Sequence, residues 1–311
     1  MPDVVCVGIL VADVVGKPID RLPDRGKLQL AAQMEMHSGG CAANTAVALA
    51  KIGVSTGIVG MVGHDGFGDF LIGAMERHGL DAAGVARSDR ANTSATMVLV
   101  HSDGERSFIH YLGANAEFRL ADVNFDLVSR ARLVHVGGAL LMPAFDGDPT
   151  AELLRRARSA GVITSMDTAW DSQGRWMSLI GPCLEHLDYF IPSIEEARML
   201  TGLHRPERVA AALMNRGVRT VVLKMGADGC YLRSSDFELL LPAFPVKAID
   251  ALGAGDAFAA GFLTGVVNGW DLRETGRFAN AVGALSVMSL GATTGIRALD
   301  ETLSFMESQP A

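Results

Sequence analysis

Asp250-Ala251-Leu252-Gly253-Ala254-Gly255-Asp256-Ala257-Phe258 is the stretch on which the reading of this chain turns. A Gly-Ala-Gly turn runs straight into an apolar helix read at Ala257 to Asn268. Glycines allow a tight turn and the close approach of a ligand to the backbone. The first N–H groups of a helix have no internal partner, and the helix dipole adds partial positive charge there. Such an entrance suits a phosphate, or the charge that develops on a phosphoryl group in transfer. Asp256, in the first turn, has two readings. It is a helix-stabilising carboxylate worth about 0.3–1 kcal/mol, or a general base that takes the proton of an incoming hydroxyl. Residue types alone leave both open.

On either side of this stretch, apolar runs bounded by glycine alternate with amphipathic segments. Strands are expected at Val4 to Leu10, Ser55 to Val62, Leu133 to Val136, Val162 to Asp167, Tyr189 to Ile191 and Thr220 to Lys224. Helices are expected at Ala42 to Ile52, Phe67 to His78, Ala151 to Ser159, Ile194 to Thr201 and Arg273 to Met288. This alternation implies right-handed crossovers and a mostly parallel sheet. Two segments break the rhythm. Residues 14–37 hold no helical pattern, and residues 94–112 read as a β-hairpin turning at Ser102-Asp103-Gly104-Glu105. Two antiparallel insertions of this kind predict a small β-sheet lid that excludes water from a reaction; the plainer reading is an extension of the main sheet's edge. One α/β domain over residues 1–311, with the lid inserted from about 14–37 and 94–112, is the expected organisation.

The 311 residues are 49% hydrophobic and 20% charged, enough for a sizeable core. A formal charge of -8 argues against a nucleic-acid partner but is compatible with a phosphate pocket, which needs only local donors and a metal ion. Met1 to Gly8 reads as a buried strand, not a signal peptide. No apolar run approaches the roughly 18 residues of a membrane span, so no membrane partner is expected. Cys6, Cys41, Cys183 and Cys230 are far apart and form no CxxC pair, which speaks against a zinc or redox site and for free thiols in the cytoplasm.

The Asp-x-x-Gly-Ala-Gly-Asp pattern at 250–256 resembles the C-terminal signature of the ribokinase-like (PfkB) family of carbohydrate kinases. Gly39-Gly40-Cys41-Ala42-Ala43-Asn44-Thr45-Ala46, followed by Leu49-Ala50-Lys51-Ile52-Gly53, is similar to its N-terminal signature. The resemblance, which runs from Gly8 to Gly295, implies a three-layer α/β/α core with a mostly parallel central sheet and a small β-sheet lid. It implies ATP-dependent phosphorylation of a hydroxymethyl group on a small sugar (a hexose, ketohexose or related monosaccharide). Carried over by position, Asp256 is the base, and the Gly253, Ala254 and Gly255 amides form the anion hole. Asp13, on a turn after the first strand, joins Gly39, Gly40 and Asn44 in holding sugar hydroxyls. Pro192-Ser193-Ile194-Glu195-Glu196 resembles an Asn-x-x-Glu element, which would give Glu196 a water-mediated hold on Mg²⁺. In Leu223-Lys224-Met225-Gly226-Ala227-Asp228-Gly229, Lys224, Gly226 and Gly229 would cover the nucleotide phosphates beside Gly255, and Asn280 would edge the adenine. Ser286, Ser289, Gly291 and the carbonyls of Asp250 and Leu252 fall where the family holds a monovalent cation such as K⁺; Gly295 lies near them.

Each of these has a plain counterpart: a tight loop for Gly39-Gly40, a solvated turn carboxylate for Asp13, a first-turn acid for Glu196, and a β-turn for Gly226 to Gly229. The chain also departs from the family pattern. Ala251 stands where Thr is usual, Cys41 where Lys is common, and Ser193 where Asn is usual. Asp167-Thr168-Ala169 lacks the Asn of an Asp-x-Asn element, and Trp170, Arg175 and Trp176 follow it. Lys27, Gln29 and Arg106 of the lid would shape the acceptor pocket. The rival readings are a nucleoside kinase of the same family, with Phe108 or Tyr111 stacking on a base, and a sugar-sensing protein that has lost the chemistry. Gly8-Ile9-Leu10-Val11-Ala12-Asp13 is not GxGxxG, which disfavours a nicotinamide dehydrogenase, and no GxxxxGK[ST] loop occurs. Exposed lid edges invite a homodimer through lid-to-lid strand pairing.

Overall fold

β1 (Val4–Gly8) is apolar at every position because both of its faces are covered. Val5 and Val7 point into one hydrophobic core, and Val4 and Cys6 into a second on the opposite face. The computed structural model describes residues 1–309; residues 310 and 311, the end of the expected domain, lie outside the described residues.

The remaining strands are β2 (Val11–Lys17), β3 (Gln33–Gly39), β4 (Thr56–Gly63), β5 (Asp81–Ser88), β6 (Ala95–Val100), β7 (Arg106–Tyr111), β8 (Leu133–Ala139), β9 (Ile163–Thr168), β10 (Tyr189–Phe190), β11 (Thr220–Lys224), β12 (Cys230–Arg233) and β13 (Glu238–Leu241). Nine form one sheet in the order β13-β12-β11-β10-β9-β8-β1-β4-β5, and four form a smaller sheet in the order β3-β2-β6-β7. In the larger sheet the pairings are parallel except at β11–β12 and β12–β13.

Helices α1 (Cys41–Ile52), α2 (Gly66–Arg77), α3 (Ala114–Glu117), α4 (Phe125–Ser129), α5 (Asp148–Ser159), α6 (Trp176–Ile180), α7 (Ile194–Thr201), α8 (Pro206–Met214), α9 (Ala254–Asn268), α10 (Leu272–Val287) and α11 (Leu299–Ser308) cover the large sheet. α1, α2, α9, α10 and α11 bury their apolar stripes with Val4 and Cys6. α3 to α8 do so with Val5 and Val7, completing three layers. No helix among the described residues is long and apolar enough to cross a membrane.

The structure corrects several expectations. β1 stops at Gly8, not Leu10, and Asp13 lies inside β2 instead of on a turn. The chain changes sheets at Ile9-Leu10. The switch is invisible in the sequence because both residues stay buried, with the Leu10 backbone held at N and O by the Asn115 side chain. The small sheet is not purely antiparallel: two antiparallel hairpins are joined by the parallel pairing β2–β6. The edge strands β5 and β13 were not expected, since their half-buried faces leave weak patterns.

α9 and α10 approach closely. A Cβ at Gly261 would sit 2.9 Å from Ala279 Cα, and one at Gly265 2.6 Å from Thr275 Oγ1. Backbone cannot yield as a side-chain tip can. Gly261→Ala should therefore cost about 1–3 kcal/mol, the usual range for overpacking, read as a lower urea midpoint with an unchanged slope.

Candidate active site

The two glycine-rich helix entrances meet in space. Asn44, in the first turn of α1, donates from Nδ2 to Asp256 Oδ2 at 2.8 Å, across 212 residues of sequence. Thr45 Oγ1 donates to the Asp256 carbonyl at 3.4 Å. Among the described residues, Asn44 Oδ1 is buried and accepts no hydrogen bond.

Both entrances need glycine for stereochemical reasons. Gly40, the N-cap of α1, has φ 95°, and a Cβ there would lie 2.4 Å from Ile9 O. Gly253, the N-cap of α9, has φ 73°, and a Cβ would lie 2.6 Å from the Ala292 Cβ. An L-residue with a side chain resists this backbone and has no room for it. A Cβ at Gly255 would lie 3.3 Å from Lys224 Nζ, so the Lys224 side chain stands against the first turn of α9, where the Ala254 N–H donates to the Ala251 carbonyl at 3.2 Å.

Asp256 is buried. Burial and the nearby Asp167 charge push its carboxyl up to about 7, against the pull of Asn44 and Lys224. Asp167, the next-to-last residue of β9, is buried and accepts from Gly138 N at 2.7 Å. Burial raises its carboxyl, and Lys224, at 3.8 Å, opposes the rise. For Lys224 itself, burial works against the ammonium, but Asp167, Glu196 and Asp256 outweigh it and hold the pKa above its ordinary value. Behind Asp167, His135 is buried with Nδ1 3.1 Å from Ser165 Oγ; burial drops its pKa to about 3, so it is neutral. Cys41 beside Asp256 is kept a thiol by burial and the two carboxylates.

Asp13 faces Gly39 so closely that a Cβ there would lie 2.0 Å from Asp13 Oδ2. Burial pushes its carboxyl up to about 6, while the Thr96 hydroxyl and His37 pull down. Glu196 behaves as a capping residue: Oε2 takes the Ser193 N–H at 2.9 Å and the Thr168 hydroxyl at 2.9 Å. Asp250, Leu252, Ser286, Ser289 and Gly291 come together beside the Gly253 turn. Asp250 N donates to Val287 O, Asp250 carboxylate oxygens accept from Leu252 N and Gly291 N, and Ser286 Oγ donates to Gly283 O. Gly226 and Gly229 bracket a turn after Lys224, closed by Met225 N to Gly229 O at 2.8 Å. Asn280 stands apart from this cluster, its amide donating to the Pro242 carbonyl at 3.0 Å and the Leu241 carbonyl at 3.4 Å. Trp170 and Trp176 meet edge to face at 5.1 Å, and Arg175 Nη2 reaches Leu140 O at 3.4 Å.

The sequence reading put Asp167 at the carboxyl end of an expected strand, where α/β ligand sites gather, but gave it no role in the site, and it passed over His135. A carboxylate at the carboxyl end of a parallel strand is the signal that points to Asp167; His135 sits in an apolar run and carries none.

The architecture is that of the ribokinase-like kinases. The chain belongs to the pfkB family of carbohydrate kinases, whose model matches residues 1–299. It is 32% identical over 291 residues to a fructokinase-2 of Oryza sativa subsp. japonica, covering 88% of this chain and 87% of that one. It is 28% identical over 282 residues to a 2-dehydro-3-deoxygluconokinase of Bacillus subtilis, covering 87% and 86%. Among solved structures, a ribokinase from Thermotoga maritima superposes with TM-score 0.86 at 28% identity over 99% of this chain and 100% of its own. A fructokinase from Xylella fastidiosa with bound ATP superposes with TM-score 0.84 at 29% identity over 99% of each.

The carboxyl of Asp256 titrates above an ordinary Asp at 3.8, so the folded chain holds that proton more tightly than the unfolded one. Its contribution to stability is full below pH 3.8 and is lost as pH rises through about 7. Asp256→Asn should therefore melt higher than the wild type at pH 8, with the gap closing toward pH 4, by scanning calorimetry.

Proposed function

We propose that this kinase transfers the γ-phosphoryl group of ATP to a hydroxymethyl group of a small sugar, with Asp256 as general base. The observation that carries the reading is the Asn44–Asp256 hydrogen bond, which puts the sugar-binding signature and the phosphate-binding turn against one carboxylate. ATP, with Mg²⁺ on its phosphates, supplies the transferable group. The chain's residues fit it: a helix N-terminus whose first turn has the Lys224 ammonium beside Gly255 is a cradle for anionic oxygens.

Asp13, Gly39, Gly40 and Asn44 hold the acceptor, and the free Asn44 Oδ1 takes one of its hydroxyls. Asp256 accepts the proton of the attacking hydroxyl, and its raised pKa makes it a stronger base than an ordinary carboxylate. The Gly253, Ala254 and Gly255 amides and Lys224 meet the charge on the equatorial oxygens. Glu196 would hold Mg²⁺ through water by its Oε1, since Oε2 caps α7. Gly226, Gly229 and Asn280 line the nucleotide side, and the carbonyls around Asp250, Leu252, Ser286, Ser289 and Gly291 would take K⁺. The small sheet is the lid, its Asp13 face turned to the acceptor.

Relatives named fructokinase favour a hexose acceptor. A nucleoside is the second reading, because Phe108, 57% exposed, lies on the Asp13 face of the small sheet. Tyr111 falls on the opposite face.

An ADP-release screen over ketohexoses, aldohexoses, pentoses, sugar acids and nucleosides decides the acceptor class. Release with no acceptor above the buffer rate would refute the kinase reading. Asp256→Asn should lower kcat by at least roughly 10²–10⁴, with folding intact. In the wild type, kcat/KM should fall below pH about 7 as Asp256 takes up its proton.

A further inference from the structure

Arg106 begins β7 on the small sheet, and Asp250 begins the phosphate turn on the body. Arg106 Nη1 lies 2.8 Å from Asp250 Oδ1, with the arginine side chain 20% exposed and the aspartate 2%. The same carboxylate accepts from Leu252 N at 2.9 Å and from Gly291 N at 2.7 Å. One buried group thus ties together the turn that leads to Gly253, the loop that walls it, and the small sheet. Among the described residues, this is the ion pair that joins the small sheet to the body. A buried carboxylate that loses a charged partner is strongly destabilised, so lifting the small sheet would leave Leu252 N and Gly291 N to hold the Asp250 side of the turn without Arg106.

β7 links this tie to the acceptor side. Arg106, Phe108 and His110 share one face of the strand. His110 Nδ1 lies 3.0 Å from Thr96 Oγ1, and Thr96 is the register partner of Asp13. One strand therefore carries the sugar-facing row at one end and the tie to the phosphate turn about 13 Å away, at four residues of strand rise.

The geometry points to Arg106 as a positioning residue: it latches the small sheet, and the acceptor held on it, to the turn that forms the anion hole. This rests on the kinase reading above. Closure over the acceptor and the shape of the phosphate site become one event, because Arg106 acts on the anion hole through Asp250. Arginine suits the task, since it stays charged when half buried and its planar fork fixes direction.

Hydrogen exchange on the ligand-free protein tests the tie without any knowledge of the acceptor. In Arg106→Leu, which keeps the apolar stem, and in Asp250→Asn, the Leu252 to Gly255 and Gly291 amides should exchange at least about tenfold faster. The double variant should be no faster than either single one, since partners in one interaction are not additive. Turnover on the acceptor found by the screen gives the second readout. Arg106→Leu should lower kcat at least about tenfold with KM for ATP within about threefold, and Arg106→Lys should recover part of the loss. Should Arg106→Leu fail to fold, Arg106→Lys carries both comparisons at smaller amplitude. Wild-type exchange in the folded variant overturns the latch even if the enzyme is an active kinase. Faster exchange with unchanged kcat overturns the positioning role. A wild type that phosphorylates nothing in the screen overturns the kinase reading itself, and the positioning role with it.

Discussion

Two helix N-termini, those of α1 and α9, point at the same place, and like partial charges do not gather there without an anion between them. Asp256 is that anion. It sits within the first turn of α9 and takes the Asn44 amide from α1. Because the site is buried, the same carboxylate feels Asp167 and is held partly protonated near neutrality. Three carboxylates, Asp256, Asp167 and Glu196, surround one ammonium, Lys224. This excess of negative charge is costly to bury, and the Mg²⁺ of the proposed reaction would offset it. The site is thus strained toward its function in the sense common to catalytic centres.

The surrounding fold serves this arrangement. Parallel strands buried on both faces bring their carboxyl ends to one edge, where Gly138, Asp167 and Lys224 all lie. Close contact of α9 with α10 sets the depth of the α9 entrance, and glycines at 261 and 265 permit that contact. The small sheet supplies Asp13 from the other side. It has four strands and open edges, and the Arg106–Asp250 pair fastens it to the body.

Much of this was legible in the residue order. Period and glycine punctuation located the central strands and most long helices, because burial on both faces leaves an unmistakable apolar run. The Gly-Ala-Gly-Asp and Gly-Gly-x-x-x-Asn segments marked the two helix entrances, since backbone that must turn left-handed has few residues to choose from. The fates of Asp13, Asn280 and Glu196 were not legible. Asp13 belongs to a strand because the chain changes sheets within an unbroken buried stretch. Asn280 donates to the carbonyls of the last residue of β13 and of the one after it, 39 and 38 residues away, and Glu196 gives one oxygen to its own helix cap. Those choices depend on neighbours that local pattern does not contain.

What the sequence alone determined is the class of fold and the presence of two glycine-led helix entrances, because periodicity and glycine placement act locally. Only the tertiary structure decided that the two entrances share Asp256, that Asp167 and Lys224 stand behind it, and that Arg106 reaches Asp250. Those contacts span up to 212 residues, and their strength comes from burial, a property that a residue acquires only once the chain has closed around it.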